Sequence, residues 1–182
     1  MKTLWLFLIL AGSVCAEPAA VQQAIQEGLP TESVRTLIAE GQAKQVPAAE
    51  LDAAAQRRLA SLREAKAMLR ANGYDCVGPG QQELMATVGR ALESKVPADA
   101  LRQVLKAGGG MRAMRLQAVV DAGESLKLLG VDNATVSALM QDFVSRNLGR
   151  GEILRAVQFV SQQHRAGVAG PRIRDLLWSN KL

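Results

Sequence analysis

The sequence predicts an all-α protein: an irregular bundle or short array of about nine helices, with no sheet. Three observations lead there. Alanine is abundant, and it is the strongest helix former while adding little side-chain volume, so helices faced with it approach closely. Apolar residues recur at the 3.6-residue spacing of a helix face. No alternating Val, Ile and Thr run of useful length is present.

A recurring phrase places the helices. An apolar residue, often followed by Pro, leads into a segment with apolar residues five, eight and nine positions later. The first helix, 19–27, ends before the first such phrase. Leu29-Pro30 leads to Val34, Leu37 and Ile38 in a helix over 31–40. Val46-Pro47 leads to Leu51, Ala54 and Ala55 in the longest helix, 48–71, whose one side also carries Leu59, Leu62 and Leu69. Gly73 to Gly80 holds three Gly and a Pro and forms a loop before a helix over 80–94. Val96-Pro97 leads to Leu101, Val104 and Leu105 in 98–107. Gly108-Gly109-Gly110 is the best hinge candidate; it divides 17–182 into lobes 17–107 and 111–182 of one helical assembly. A helix over 112–129 follows it.

The same phrase then repeats without Pro. Val131 leads to Val136, Leu139 and Met140 in 134–147, with Asn133 able to cap the start. Leu148 leads to Ile153, Ala156 and Val157 in 151–165, and Val168 to Ile173, Leu176 and Leu177 in 171–178. Pro suits such entries because the first helical N–H has no partner to lose. The six leading residues are 17, 50, 35, 17 and 20 apart. That irregularity fits a degenerate helical repeat and an ordinary bundle alike.

Residues 1–16 read as an export signal cleaved after Ala16. Lys2 supplies the positive start, Leu4 to Ala11 the apolar run, and Val14-Cys15-Ala16 the small-residue cleavage site. The run is well short of the roughly twenty residues that span a bilayer. A lipid-bearing Cys15 is the alternative. Its signal wants Leu three residues earlier and Gly or Ala directly before, where Gly12 and Val14 stand. The destination is the bacterial periplasm or the exterior. Cleavage leaves 166 residues of net charge +4, enough for a single domain with a core. Only Tyr74, Phe143, Phe159 and Trp178 remain as aromatics, so that core is aliphatic.

The wording Glu40-Gly41-Gln42-Ala43-Lys44-Gln45-Val46-Pro47 resembles a phrase of uncharacterised exported bacterial proteins built from short Gly-x-x-Lys-x-Val-Pro helical units. The resemblance implies an exported helical protein. It implies no activity and no functional residue.

Catalytic groupings are scarce, and no motif calls for a cofactor. His164 is the sole histidine, too few for a paired-histidine metal site, and no G-x-S-x-G elbow accompanies it. A capping or surface role for His164 competes with catalysis or pH sensing. Glu83, Glu93, Glu124 and Glu152 are carboxylates a peptidoglycan-cleaving enzyme could use, but few aromatics are at hand to grip a sugar. Gly149-Arg150-Gly151 lacks the third glycine of a dinucleotide loop, and Gly108 to Gly110 leads to Met111-Arg112 rather than Lys-Ser/Thr. Cys76 is the one cysteine left after cleavage. It is a buried small hydrophobe, a reactive thiol or a link between two copies. No neighbour in sequence would depress its pKa, and Asp75 would raise it.

Basic residues are the remaining candidates. Arg57, Arg58, Arg63, Lys66 and Arg70 share the long helix, and Arg165, Arg172, Arg174 and Lys181 crowd the C-terminal end. Glu50, Asp52 and Glu64 balance the first set. Trp178, following Ile173, Leu176 and Leu177, either docks the tail or anchors a partner. Export argues against nucleic acid. The expectation is a non-enzymatic exported protein that binds a protein partner or scaffolds an envelope complex, with self-association open. Residues Arg57, Arg58, Arg63, Lys66, Arg70, Arg172, Arg174 and Trp178 are the candidate contacts. The alternative is an electrostatic binder of anionic lipid, lipopolysaccharide or cell-wall polymer, and a peptidoglycan enzyme is the remote one.

Overall fold

A computed structural model describes residues 17–179. The expected signal, with Cys15, lies outside them, as does Lys181. Among the described residues are nine helices and no strand: α1 (Ala19–Glu27), α2 (Thr31–Ala43), α3 (Ala48–Ala71), α4 (Pro79–Glu93), α5 (Ala98–Ala107), α6 (Ala113–Leu128), α7 (Asn133–Ser145), α8 (Arg150–Arg165) and α9 (Gly170–Ser179).

One turn geometry accounts for the recurring phrase. After α1 the chain takes a left-handed residue, Gly28 at φ 60°. Its N–H reaches Ile25 O, and the Leu29 N–H reaches back to Ala24 O. This pair of bonds satisfies carbonyls that the helix end leaves orphaned. The same pair recurs at Gln45-Val46, Gly73-Tyr74, Lys95-Val96, Gly130-Val131, Asn147-Leu148 and Gly167-Val168. All six leading residues are thus the residue directly after the left-handed one, where a hydrophobic side chain folds back onto the packing below. Leu29, Val96 and Val131 are buried.

The three prolines stand directly before their helices, as the predicted bounds place them. Pro30, Pro47 and Pro97 occupy the N-cap, not the first helical position. The carbonyl of Pro47 accepts from Glu50 and Leu51 N–H groups, so the proline starts the helix without entering it. Asn133 is not the cap of α7. Asp132 is: its Oδ1 accepts the Thr135 N–H at 2.9 Å and its Oδ2 the Thr135 hydroxyl at 2.7 Å. These bonds hold its carboxyl below the ordinary value. Asn133 becomes the first helical residue and accepts from Lys127 Nζ at 2.7 Å.

The helices pack in two rows. In front, α4 lies on α6 and α6 on α8; behind, α5 lies on α7 and α7 on α9. Contacts of α6 with α7 and of α8 with α9 join the rows, while α3 packs on α4 and carries α1 and α2. One buried aliphatic cluster runs through all nine, from Val21 through Leu62, Leu84 and Leu116 to Leu177. Residues on either side of Gly108–Gly110 belong to it, and α4 meets α6 across that break. A Cβ on Gly108 would stand 2.7 Å from Leu116 Cδ1, so close packing rather than a left-handed backbone asks for that glycine.

Small residues also set helix approach at α9. A Cβ on Gly170 would collide with the Thr135 hydroxyl and lie 2.6 Å from Asp132 Oδ2, the rigid cap of α7. Gly170→Ala is therefore expected to destabilise the protein by about 2 kcal/mol, despite alanine's better propensity. At Gly151, in the first turn of α8, the nearest atom to a Cβ is Arg155 Nη1 at 3.8 Å. There Gly151→Ala is expected to stabilise by about 0.5–1 kcal/mol. Urea titration of both variants checks the opposite signs.

Candidate functional groove

Two hollows open on the front row. The larger, about 850 Å³, lies between α2 and α4 and is floored by Arg58 of α3. Leu29-Pro30, Leu37 and Ala86 supply apolar walls, and Ile25 stands 51 % exposed at its edge. Glu32 and Glu40 line its α2 side. The smaller hollow, about 420 Å³, lies among α4, the start of α6 and the start of α8. Arg112, Met114, Arg115, Gln117, Asp121 and Arg150 line it, and Met114 is 74 % exposed. Glu83 lines both, so the two adjoin at this residue, and together they make up the candidate groove.

The floor is held by ion pairs that cross from helix to helix. Arg58 donates to both carboxylate oxygens of Glu93, at 2.6 and 2.9 Å, and to Ser33 Oγ at 2.8 Å. One side chain thus joins α2, α3 and α4. Arg90 of α4 reaches Asp121 at 3.0 Å and Glu124 at 3.6 Å on α6, and the Ser94 hydroxyl donates to Glu124 at 2.8 Å. The groove wall desolvates Asp121 and raises its pKa although half of its side chain is open to water; Arg90 opposes that shift.

This arrangement assigns the four acids weighed for catalysis. Glu93 answers Arg58, and Glu124 answers Arg90 and Ser94. Glu152 accepts the Gly149 N–H at 2.6 Å and closes the first turn of α8. Glu83 stays in the groove, with the Gln117 side-chain amide at 3.5 Å. Among the described residues, no cluster of three or more His, Cys, Asp or Glu is placed to hold a metal ion.

The basic residues singled out in the sequence do not form one surface. Arg58 lies in the groove floor, only 15 % exposed. Arg63 forks onto the Glu27 carboxylate at 2.6 and 2.7 Å, and Lys66 donates to the Glu27 carbonyl. Together they clamp the end of α1, and the hydrogen bond from Arg63 lowers the Glu27 pKa. Arg57 and Arg70 are exposed, with no carboxylate partner among the described residues. Arg172 is exposed too. Arg174 instead forks onto Asp142 of α7 at 2.6 and 2.8 Å, and the Trp178 indole N–H donates to the same carboxylate at 2.8 Å. Trp178 meets Phe143 edge-to-face at 6.3 Å and lies under Arg146 at 4.1 Å. It docks α9 onto α7.

Cys76 is buried, 4 % exposed, in a left-handed backbone at φ 60°. Burial pushes its thiol up. The sequence offered no cation to oppose that, but the fold supplies two: Arg70 and Lys66 of α3 pull the other way and are outweighed. A thiol so placed is presented neither as a nucleophile nor to a second chain.

The sequence reading missed the arginine-lined hollow. Its signal was faint: Arg112 follows one glycine-rich stretch weighed as a phosphate loop, and Arg150 lies inside the other. None of the described helices is long and apolar enough to cross a membrane. No family model, curated protein or solved structure matches this chain.

Two outcomes test these assignments. Arg58→Ala is expected to cost about 2 kcal/mol of stability, because it strands Glu93 and unties three helices. Arg57→Ala is expected to change stability by no more than about 0.5 kcal/mol. Chemical denaturation of both checks the contrast. The second outcome concerns acid. Burial raises the Asp142 pKa, but the bonds from Arg174 and Trp178 outweigh it and hold it below the ordinary value. A carboxyl lowered in the folded state contributes fully above its unfolded value and loses that contribution as pH falls through the folded one. With residues 1–16 removed, Trp178 is the sole tryptophan, and its emission is expected to shift below about pH 4. Asp142→Asn should remove that acid step; an identical acid midpoint in the Asn variant would exclude the role.

Proposed function

We propose that this chain is an exported protein that holds a peptide segment of a protein partner in the groove across α2, α4, α6 and α8. The observation that carries the reading is that the two hollows adjoin at Glu83, with apolar side chains in both and unlike charges on their far sides. Helices stacked in rows leave extended grooves of this kind, and helical or extended peptides fill them. Export rests on Lys2, the apolar run Leu4 to Ala11 and the small residue Ala16, with the periplasm or exterior as destination. A degenerate repeat of helical hairpins fits the same picture. Val96, Val131 and Val168 each open the rear helix of a front–rear pair, in α5, α7 and α9.

The alternative, a broad basic face for anionic lipid or cell-wall polymer, draws less support. Arg58, Arg63 and Arg174 are already answered by carboxylates. Glu32 and Glu40 on the groove lip would repel an anionic sheet.

A photo-cross-linking residue at Ala86 or Leu37 tests the proposal in intact cells. Each is expected to trap a protein partner that the same residue at Arg102 of α5, outside the groove, does not. Trapping only from Arg102, or recovery of the chain from the cytosol alone, would overturn the reading.

A further inference from the structure

The two glycine-rich breaks converge in space. Arg112 precedes the first residue of α6, Arg150 opens α8, and both line the smaller hollow with Arg115. None of the three has a carboxylate partner among the described residues; Arg115 donates instead to the Asn147 side-chain oxygen. Other arginines of the groove are committed: Arg58 to Glu93, Arg90 to Asp121 and Glu124. Asp121 is thus already answered, which leaves Glu83 as the hollow's one acid without a cation at salt-bridge distance. At the opposite lip the sign reverses. Glu32 lacks an ion-pair partner among the described residues, and Glu40 meets only Lys44, at 4.0 Å. The groove is therefore bipolar, acidic beside α2 and basic where α6 and α8 begin.

We infer that the Arg112–Arg115–Arg150 hollow is a carboxylate site, taking the acidic end of a peptide whose apolar residues lie in the larger hollow. The inference rests on the peptide-groove reading and deepens it by specifying the chemistry of one end. Arginine presents a planar fork that matches a carboxylate. The first turns of α6 and α8 border the same hollow, and a helix N-terminus favours negative charge, although the Glu152 carboxylate already meets that of α8. Exposed Met114 beside the arginines offers an adaptable apolar contact to the residue preceding the acid. Length also fits. A hollow of about 420 Å³ adjoining one of about 850 Å³ suits a chain segment better than a small anion.

The test uses the full chain and fluorescent amphipathic Leu/Ala peptides of about fourteen residues, long enough for a helical bound form. One ends in three glutamates, a second in three glutamines and a third in three lysines. By anisotropy at low salt the Glu-ended peptide is expected to bind at least about tenfold tighter than the Gln-ended one, an advantage lost near 0.5 M salt. R112Q/R150Q should erase that advantage, and R112E/R150E should transfer it to the Lys-ended peptide. Circular dichroism confirms that both variants keep their helices. Equal binding of all three peptides, abolished by Leu37→Asp, would overturn the carboxylate site and leave the groove standing. No binding, or binding untouched by Leu37→Asp, would overturn both. Tight binding to phosphatidylglycerol vesicles without preference among the peptides would overturn the inference in favour of a lipid surface.

Discussion

The structure depends on a left-handed residue at the end of each of the first eight helices but α5, followed by an apolar residue. Its geometry does two things at once. It satisfies two carbonyls that each helix end would otherwise leave to water, and it throws the following side chain back against the core. The chain then continues extended for one or two residues and starts the next helix at a set angle. Three of the seven left-handed positions carry Gln45, Lys95 and Asn147, not glycine. An L side chain costs roughly 1 kcal/mol there. The turns tolerate that cost because the reward comes from the apolar residue that follows.

Charge is distributed by a different logic. The chain is basic, yet four of its arginines act between helices. Arg58, Arg63, Arg90 and Arg174 each reach a carboxylate on another helix about thirty or more residues away in sequence. In the groove the uncommitted acids and bases sit at opposite lips. An excess of +5 over the whole chain says nothing of that arrangement.

This difference explains what the sequence could tell. Helix bounds were legible to within a few residues because the turn phrase is local: Val96-Pro97 and Val131-Asp132 state their own geometry within six residues. The errors were also local, as when Asp132 took the cap expected of Asn133. Both can accept an N–H, but only the earlier residue stands three before Thr135. The long helix misled at a larger scale. Arg57, Arg58, Arg63, Lys66 and Arg70 look equivalent on one amphipathic helix, and nothing in their spacing shows that Glu93 and Glu27 arrive from α4 and α1 to claim two of them. The groove was illegible for the same reason. Ile25, Glu83, Met114 and Arg150 come from four helices, and only the packing of the rows brings them to one face.

The two ends of the array carry the use of charge between helices furthest. α1 buries only Ala20, Val21 and Ala24, and α9 only Ile173 and Leu177. Helices of nine and ten residues are marginal in water on their own, and a terminal helix has a neighbour on one side only. Extra apolar surface would hold them, but at an open end of a helical stack it would also invite a second chain. Arginine forks hold without that liability. Glu17 answers Arg35 and Glu27 answers Arg63 at one end; Asp142 gathers Arg174 and Trp178 at the other. Each fork is directional and requires its partner at one position, so it fixes the register of a short helix while leaving the outward face polar. The ends are thereby capped by charge, and of the exposed large apolar side chains Ile25 and Met114 lie in the groove while Val77, Leu128 and Leu154 lie outside it.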